Sequence, residues 1–167
     1  MSPLQITSVP LDLLSFLRDQ GFDPENLNQP APSNLTPLMG AALQGRDDLV
    51  EALLRRGADP LQENPDGNQA LWFACVADRP ALVYRLAEAG CDVDHLNASG
   101  SSCLMYAASS GKAEVVAALL SAGADPLKAN PDELLPLDLA ATLDCLRLLR
   151  GPTRCARAAL ISPPLAA

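Results

Sequence analysis

Apolar positions along this chain fall into short clusters that come in pairs. Leu38, Ala41 and Ala42 share one helical face, Gly45 interrupts, and Leu49, Val50, Leu53 and Leu54 then form an i, i+1, i+4, i+5 stripe. The pattern predicts two short helices joined by a tight turn. It returns as Leu71, Ala74 and Cys75 followed by Leu82, Val83 and Leu86. It returns again as Leu104, Ala107 and Ala108 followed by Val115, Val116, Leu119 and Leu120. The step is 33 residues each time, and punctuation keeps the same beat: Gly57-Ala58-Asp59, Gly90-Cys91-Asp92, Gly123-Ala124-Asp125, with Asn64, Asn97 and Asn130 opening the loops. A period of this size marks a solenoid, in which each unit covers its neighbour's apolar face.

Local chemistry places the element ends. Thr36 is a good N-cap and Pro37 fits the first helical position, where a missing N–H costs nothing. Asp47 and Asp48 sit where a helix N-terminus favours negative charge, Arg55 and Arg56 in the last turn, and Gly57 at the left-handed stop. The chain is therefore read as one domain, residues 1–167, all-α, an α-solenoid. A capping half-unit spans about 11–24, ending at Gly21 and echoed by Phe22-Asp23-Pro24. Full units span about 31–63, 64–96 and 97–129, and a shortened unit about 130–151. In that last unit Leu135–Ala141 is expected to open cleanly, Gly151-Pro152 to interrupt the final helix, and 152–167 to form a tail. Residues 1–10 are expected to be a tail as well.

Thr36-Pro37-Leu38, Ala41-Ala42, Gly45, Leu49-Val50, Leu53-Leu54 and Gly57-Ala58-Asp59 resemble the ankyrin repeat, and residues 97–129 resemble it most closely. The departures are local. Met39, Trp72, Met105 and Asp138 occupy the slot where the family usually has His, and Asn34 and Glu133 replace the turn glycine kept at Gly67 and Gly100. The resemblance implies about four ankyrin-type repeats, each a helix pair plus a β-hairpin-like loop, with first helices on the concave side. It also implies a non-enzymatic module that binds another protein through loop tips and the exposed first-helix face.

Mapped onto that pattern, the candidate partner-binding residues are Glu63, Asp66, Asn68, His95, Ser99, Ser101, Lys128, Asp132 and Glu133 on the loops. Leu43, Gln44, Val76, Ala77, Ser109 and Ser110 are the candidates on the first helices. Trp72, with Met39 and Met105 at the same beat, is read as an apolar anchor, because Trp dominates binding hot spots and Met adapts to irregular partners. The same spacing also lets these three side chains pack between adjacent first helices.

Charge narrows the partner. The net charge is −8, which disfavours nucleic acid and anionic membranes and points to a protein partner with a basic patch. The distribution is uneven: Arg147, Arg150, Arg154 and Arg157 give the C-terminal end a positive balance, read as a basic end docking on an acidic body. As an alternative, those arginines or the concave groove could hold a small anionic ligand or serve an enzyme. Five cysteines, without a C-x-x-C pair or a histidine cluster, fit reduced core thiols in a cytoplasmic protein better than disulfides or zinc. No cofactor or metal is expected. No nucleotide-binding, metalloprotease or nucleophile-elbow motif occurs. No secretory signal is visible, and a monomer is expected. His95 has no catalytic neighbour, and Asp59, Asp92 and Asp125 read as turn residues accepting local backbone hydrogen bonds. Inhibitor and adaptor roles both fit a single small binding domain, with a slight lean to the inhibitor.

Overall fold

The computed structural model describes residues 11–161; the expectations for 1–10 and 162–167 lie outside the described residues. The elements are α1 (Leu11–Asp19), α2 (Pro37–Leu43), α3 (Asp47–Arg55), α4 (Ala70–Val76), α5 (Pro80–Glu88), α6 (Cys103–Ser109), α7 (Ala113–Ser121) and α8 (Leu143–Ile161). Among the described residues there is no strand, only an isolated bridge between Leu96 and Ser102. The helix pairs α2–α3, α4–α5 and α6–α7 stack in chain order: α2 on α4, α4 on α6, α5 on α7, with α1 covering α3 and α8 covering α7.

Capping chemistry sets the ends of the short first helices. The Thr36 hydroxyl accepts from the Met39 N–H at 3.3 Å, and Ser102 does the same for Met105 at 3.2 Å. Each first helix stops in a Schellman motif. In α2 the Arg46 N–H reaches the Ala41 carbonyl at 3.0 Å and the Gly45 N–H reaches Ala42 at 3.0 Å. The left-handed residue of this turn is Gly45, Asp78 or Gly111, at φ 64, 56 and 71°. Gly57, Gly90 and Gly123 end the second helices the same way, so the repeated Gly-x-Asp phrase is helix punctuation. Its Asp serves the next turn: Asp59 accepts from Leu61, Asp92 from Asp94 and Asp125 from Leu127, at 2.8–2.9 Å.

The core is the predicted one. Leu38, Leu53, Leu71, Leu86, Leu104 and Leu119 are at most 1 % exposed, with Ala41, Ala42, Ala74, Ala107 and Ala108 letting the first helices approach closely. Cys75, Cys91, Cys103 and Cys145 are buried free thiols. Burial pushes the Cys91 thiol up to about 12. The hydrogen bond shared with Cys75, which favours the protonated Cys103 thiol, together with burial, pushes Cys103 well up. Both therefore stay protonated at neutral pH and act as small apolar filler.

The helices of the C-terminal part depart from expectation twice. Leu135–Ala141 does not form a first helix. Earlier units start their second helix ten residues after the first, but α8 starts at Leu143, only seven after Pro136. That leaves room for one turn, tied off by the Asp138 carboxylate accepting from the Leu135 N–H at 3.0 Å and by the Ala141 N–H donating to the Ala108 carbonyl at 3.0 Å. The second departure is at Gly151-Pro152, which does not end the helix: α8 runs through it. Cys145, Leu149 and Thr153, four residues apart, are buried on one side. That anchoring on both sides of the proline outweighs the lost hydrogen bond and local strain of a helix-interior Pro.

Candidate partner-binding surface

Four loops project as tight hairpins, closed by N–H to carbonyl bonds from Ala31 to Leu35, Asn64 to Asn68, Asn97 to Ser101 and Asn130 to Leu134, at 2.9–3.1 Å. The periodic asparagines explain their own recurrence. The Asn64 side-chain carbonyl accepts from the N–H groups of Asp66 and Asn68. Asn97 accepts from Ser99 and Ser101, and Asn130 from Asp132 and Leu134. Each tip has a left-handed residue: Asn34, Gly67, Gly100 and Glu133, at φ 60, 72, 74 and 62°. Glycine is required where the next hairpin presses in. A β-carbon on Gly67 would lie 2.7 Å from the Ala98 nitrogen, and one on Gly100 would lie 2.3 Å from Pro131 Cδ.

The second and third hairpins are locked together. Ala98 N–H donates to the Asp66 carbonyl at 2.9 Å, the Asn97 amide donates to the Asn68 side-chain oxygen at 3.0 Å, and His95 Nε2 lies 2.8 Å from the Gly67 carbonyl. His95 therefore braces two repeats, with Glu63 3.5 Å from the same nitrogen. Asn68, 9 % exposed, is likewise committed to the bracing.

Beside these hairpins, Trp72 on α4 and Tyr106 on α6 form a tilted aromatic pair, ring centroids 4.8 Å apart at 42°. Both are half-buried. Helical spacing puts Val76 one turn from Trp72, and Leu43 and Ser109 occupy the same position in α2 and α6. Leu43 is 40 % exposed, an apolar residue without cover. The Lys112 ammonium, on the turn after α6, donates to the Val76 carbonyl at 3.0 Å and so satisfies an open end of α4.

Met39 and Met105 do not belong to this surface. Each is 1 % exposed. The Met39 sulfur also accepts from the Thr36 N–H at 3.5 Å, so a partner cannot reach it. Glu63, Asp66, Ser99, Asp132 and Glu133 on the hairpins, with Gln44, Ser109 and Ser110 on the helices, are exposed. Ser101, Lys128, Val76 and Ala77 are half-buried. The sequence reading missed Tyr106, whose signal was an aromatic in the first helix following Trp72, and Leu61, an uncovered leucine 48 % exposed at the base of a hairpin. The carboxylates Asp59, Asp92, Asp94 and Asp125 line the same edge. Burial, and beside it the charges of Asp125 and Asp92, raises the Asp94 pKa, although its oxygen accepts from the Asp125 N–H at 2.8 Å.

The cleft beside Trp72, lined by Asn68, Gln69, His95, Asn97 and Cys103, has room for only about 10 Å³. Typical small-ligand pockets run roughly 300–1,000 Å³. The geometry offers a braced edge with an aromatic step, suited to a macromolecular contact.

Stacked helix pairs with hairpins projecting from one edge define a helical-repeat binding scaffold. The family model for ankyrin repeats (three copies) matches residues 8–97 and 78–154, and the chain belongs to the ankyrin-repeat family. Among solved structures it is similar to the ankyrin repeat domain of Bcl-3, described as a unique member of the IkappaB protein family, at 29 % identity and a TM-score of 0.71. That match covers 78 % of this chain and 58 % of the Bcl-3 domain chain, so this chain spans little more than half of its length. No curated protein matches the chain. Ankyrin-repeat proteins are in general protein-binding modules. No helix among the described residues is long and apolar enough to cross a membrane.

Proposed function

We propose that this chain is a non-enzymatic binding module that docks a basic segment of a protein partner along its hairpin edge, with Trp72 and Tyr106 as the apolar anchor. The observation that carries the reading is the half-exposed Trp72–Tyr106 pair set beside two interlocked hairpins. A rigid aromatic step loses little conformational entropy on binding and is flanked by exposed Glu63 and Asp66. Leu43 and Val76 extend the apolar strip, and Asp132 and Glu133 extend the acidic rim. The acidic rim acts mainly on association rate and partner choice. The same surface serves an inhibitor that masks an enzyme or an adaptor that holds a partner in place. The module is proposed to act as a single copy in the cytoplasm.

Affinity capture from native extract with wild-type chain and with Trp72→Ala tests this, with thermal melts confirming that the variant is folded. The expected result is a partner retained by the wild type and lost by the variant, with affinity falling as salt rises. A folded Trp72→Ala that keeps every partner would remove the anchor. An affinity indifferent to ionic strength would remove the basic segment.

A further inference from the structure

After Lys128 the basic residues of the chain are Arg147, Arg150, Arg154 and Arg157, all on α8 and none of them lysine. Steps of three, four and three residues set them along one face about 15 Å long, at roughly 1.5 Å per residue. This face exists only because α8 does not break at Gly151-Pro152. All four arginines are exposed, on a different side of the helix from the buried Cys145, Leu149 and Thr153. The expected docking of this basic end on the acidic repeats does not occur. Arg147 pairs within its own helix with Asp144 at 3.4 Å, both side chains about three-quarters exposed (76 % and 73 %). Among the described residues no ion pair holds Arg150, Arg154 or Arg157. Leu143, 68 % exposed, lies four and seven residues before Arg147 and Arg150 and so on the same face.

We propose that this stripe is a second docking surface, separate from the hairpin edge, for an acidic helical segment of a protein partner. Such a segment would carry carboxylates at matching three- and four-residue steps and an apolar side chain against Leu143. Arginine's planar fork binds a carboxylate through two parallel hydrogen bonds, which a lysine cannot do, and the exclusive use of Arg here fits that geometry. The remainder of the molecule repels long polyanions, since the net charge is −8 despite the stripe. A short acidic segment touches the stripe alone, whereas nucleic acid or an anionic bilayer would also meet the acidic hairpins. A second copy of the chain carries the same net charge of −8 and would bring the same repulsion.

The test uses the full chain and two fluorescein-labelled helical peptides of identical composition. One carries four glutamates at steps of three, four and three with a leucine one turn before them; the other spreads the same residues around the helix. Anisotropy is expected to show the matched peptide binding at least tenfold more tightly. Replacing Arg150 and Arg154 by Gln is expected to erase that preference. Replacing both by Lys is expected to restore only part of it, because charge returns without the fork. Trp72→Ala is expected to leave it unchanged, so failure of the hairpin-edge reading and failure of this one are separable. The proposal is overturned if the wild type binds both peptides equally, a comparison that needs no variant to fold. It is also overturned by tighter binding to phosphatidylserine vesicles or a DNA oligonucleotide than to the matched peptide, or by arginine-dependent self-association.

Discussion

The backbone N–H of Ala98 donates to the carbonyl of Asp66 at 2.9 Å and ties the third hairpin to the second. The equivalent residues of the second and fourth hairpins are Pro65 and Pro131, which have no N–H to give. The hydrogen-bonded tie therefore falls beside the Trp72–Tyr106 pair and is denied to the other two junctions. Ala98→Pro is expected to fold, because Asn97 makes the same backbone and side-chain hydrogen bonds as Asn64 and Asn130, which precede proline, and Gly67 leaves the space that Gly100 leaves for Pro131. Losing the bond costs about 1 kcal/mol, and the stiffer unfolded chain returns about 0.4–1 kcal/mol. The melting temperature should barely move, while amide exchange at Gly67 and Asn68 should quicken. Unchanged exchange would show that the tie does not hold the hairpins.

The four hairpin tips share one backbone conformation but not one residue, which makes their substitutions asymmetric. Gly100→Ala places a β-carbon at φ 74° and 2.3 Å from Pro131 Cδ. The expected loss is about 2–4 kcal/mol, from left-handed strain plus overpacking. Glu133 sits at φ 62° on the last hairpin, and Glu133→Gly relieves strain for a gain of up to about 1 kcal/mol. Urea unfolding midpoints should move in opposite directions; a shift of both in one direction would contradict the shared conformation.

The contact between Trp72 and Tyr106 should be measurable apart from any partner. A double-mutant cycle with Trp72→Ala and Tyr106→Ala is expected to give a coupling of about 1 kcal/mol, as for tilted aromatic pairs at this separation. Additive single-mutant losses would mean that the rings do not support each other in solution.

Asp94 accepts from the Asp125 N–H, and one interval of two repeats earlier Asn28 accepts from the Asp59 N–H, both at 2.8 Å. Asp94→Asn thus keeps the hydrogen bond and removes a charge that burial and two neighbouring carboxylates disfavour. Because the folded pKa is raised, the ionised form weakens the native state progressively as pH rises above 3.8, and in full above the raised pKa. The variant should be more stable at neutral pH by up to about 0.5 kcal/mol, the usual scale for a surface change. The advantage should shrink as pH falls through the raised pKa and vanish below the ordinary value of 3.8. Thermal melts at pH 7 and pH 3 read it directly, and an equal gain at both pH values would rule out the charge as its cause.

Much of this architecture was legible in the chain because a repeat states its rules several times. Leu38, Leu71 and Leu104 identify one core layer by recurrence alone, and Thr36 and Ser102 announce helix starts through chemistry that acts within three residues. Glycine after each second helix and asparagine at each hairpin are similarly local. The sequence determined the unit length, the helix ends, the core faces and the acidic character of the edge, because each follows from periodicity and from bonds between near neighbours. Tertiary structure alone decided which residues at one beat turn inward or outward: Met39 and Met105 vanish into the stack while Trp72, at the same position, stays half-open against Tyr106. It likewise decided that His95 braces Gly67 across a repeat and that α8 continues through Gly151-Pro152, carrying its arginines on one open face. Those outcomes depend on which neighbour supplies the packing, the carbonyl or the anchoring layer, and such partners lie too far along the chain for local propensity to name them.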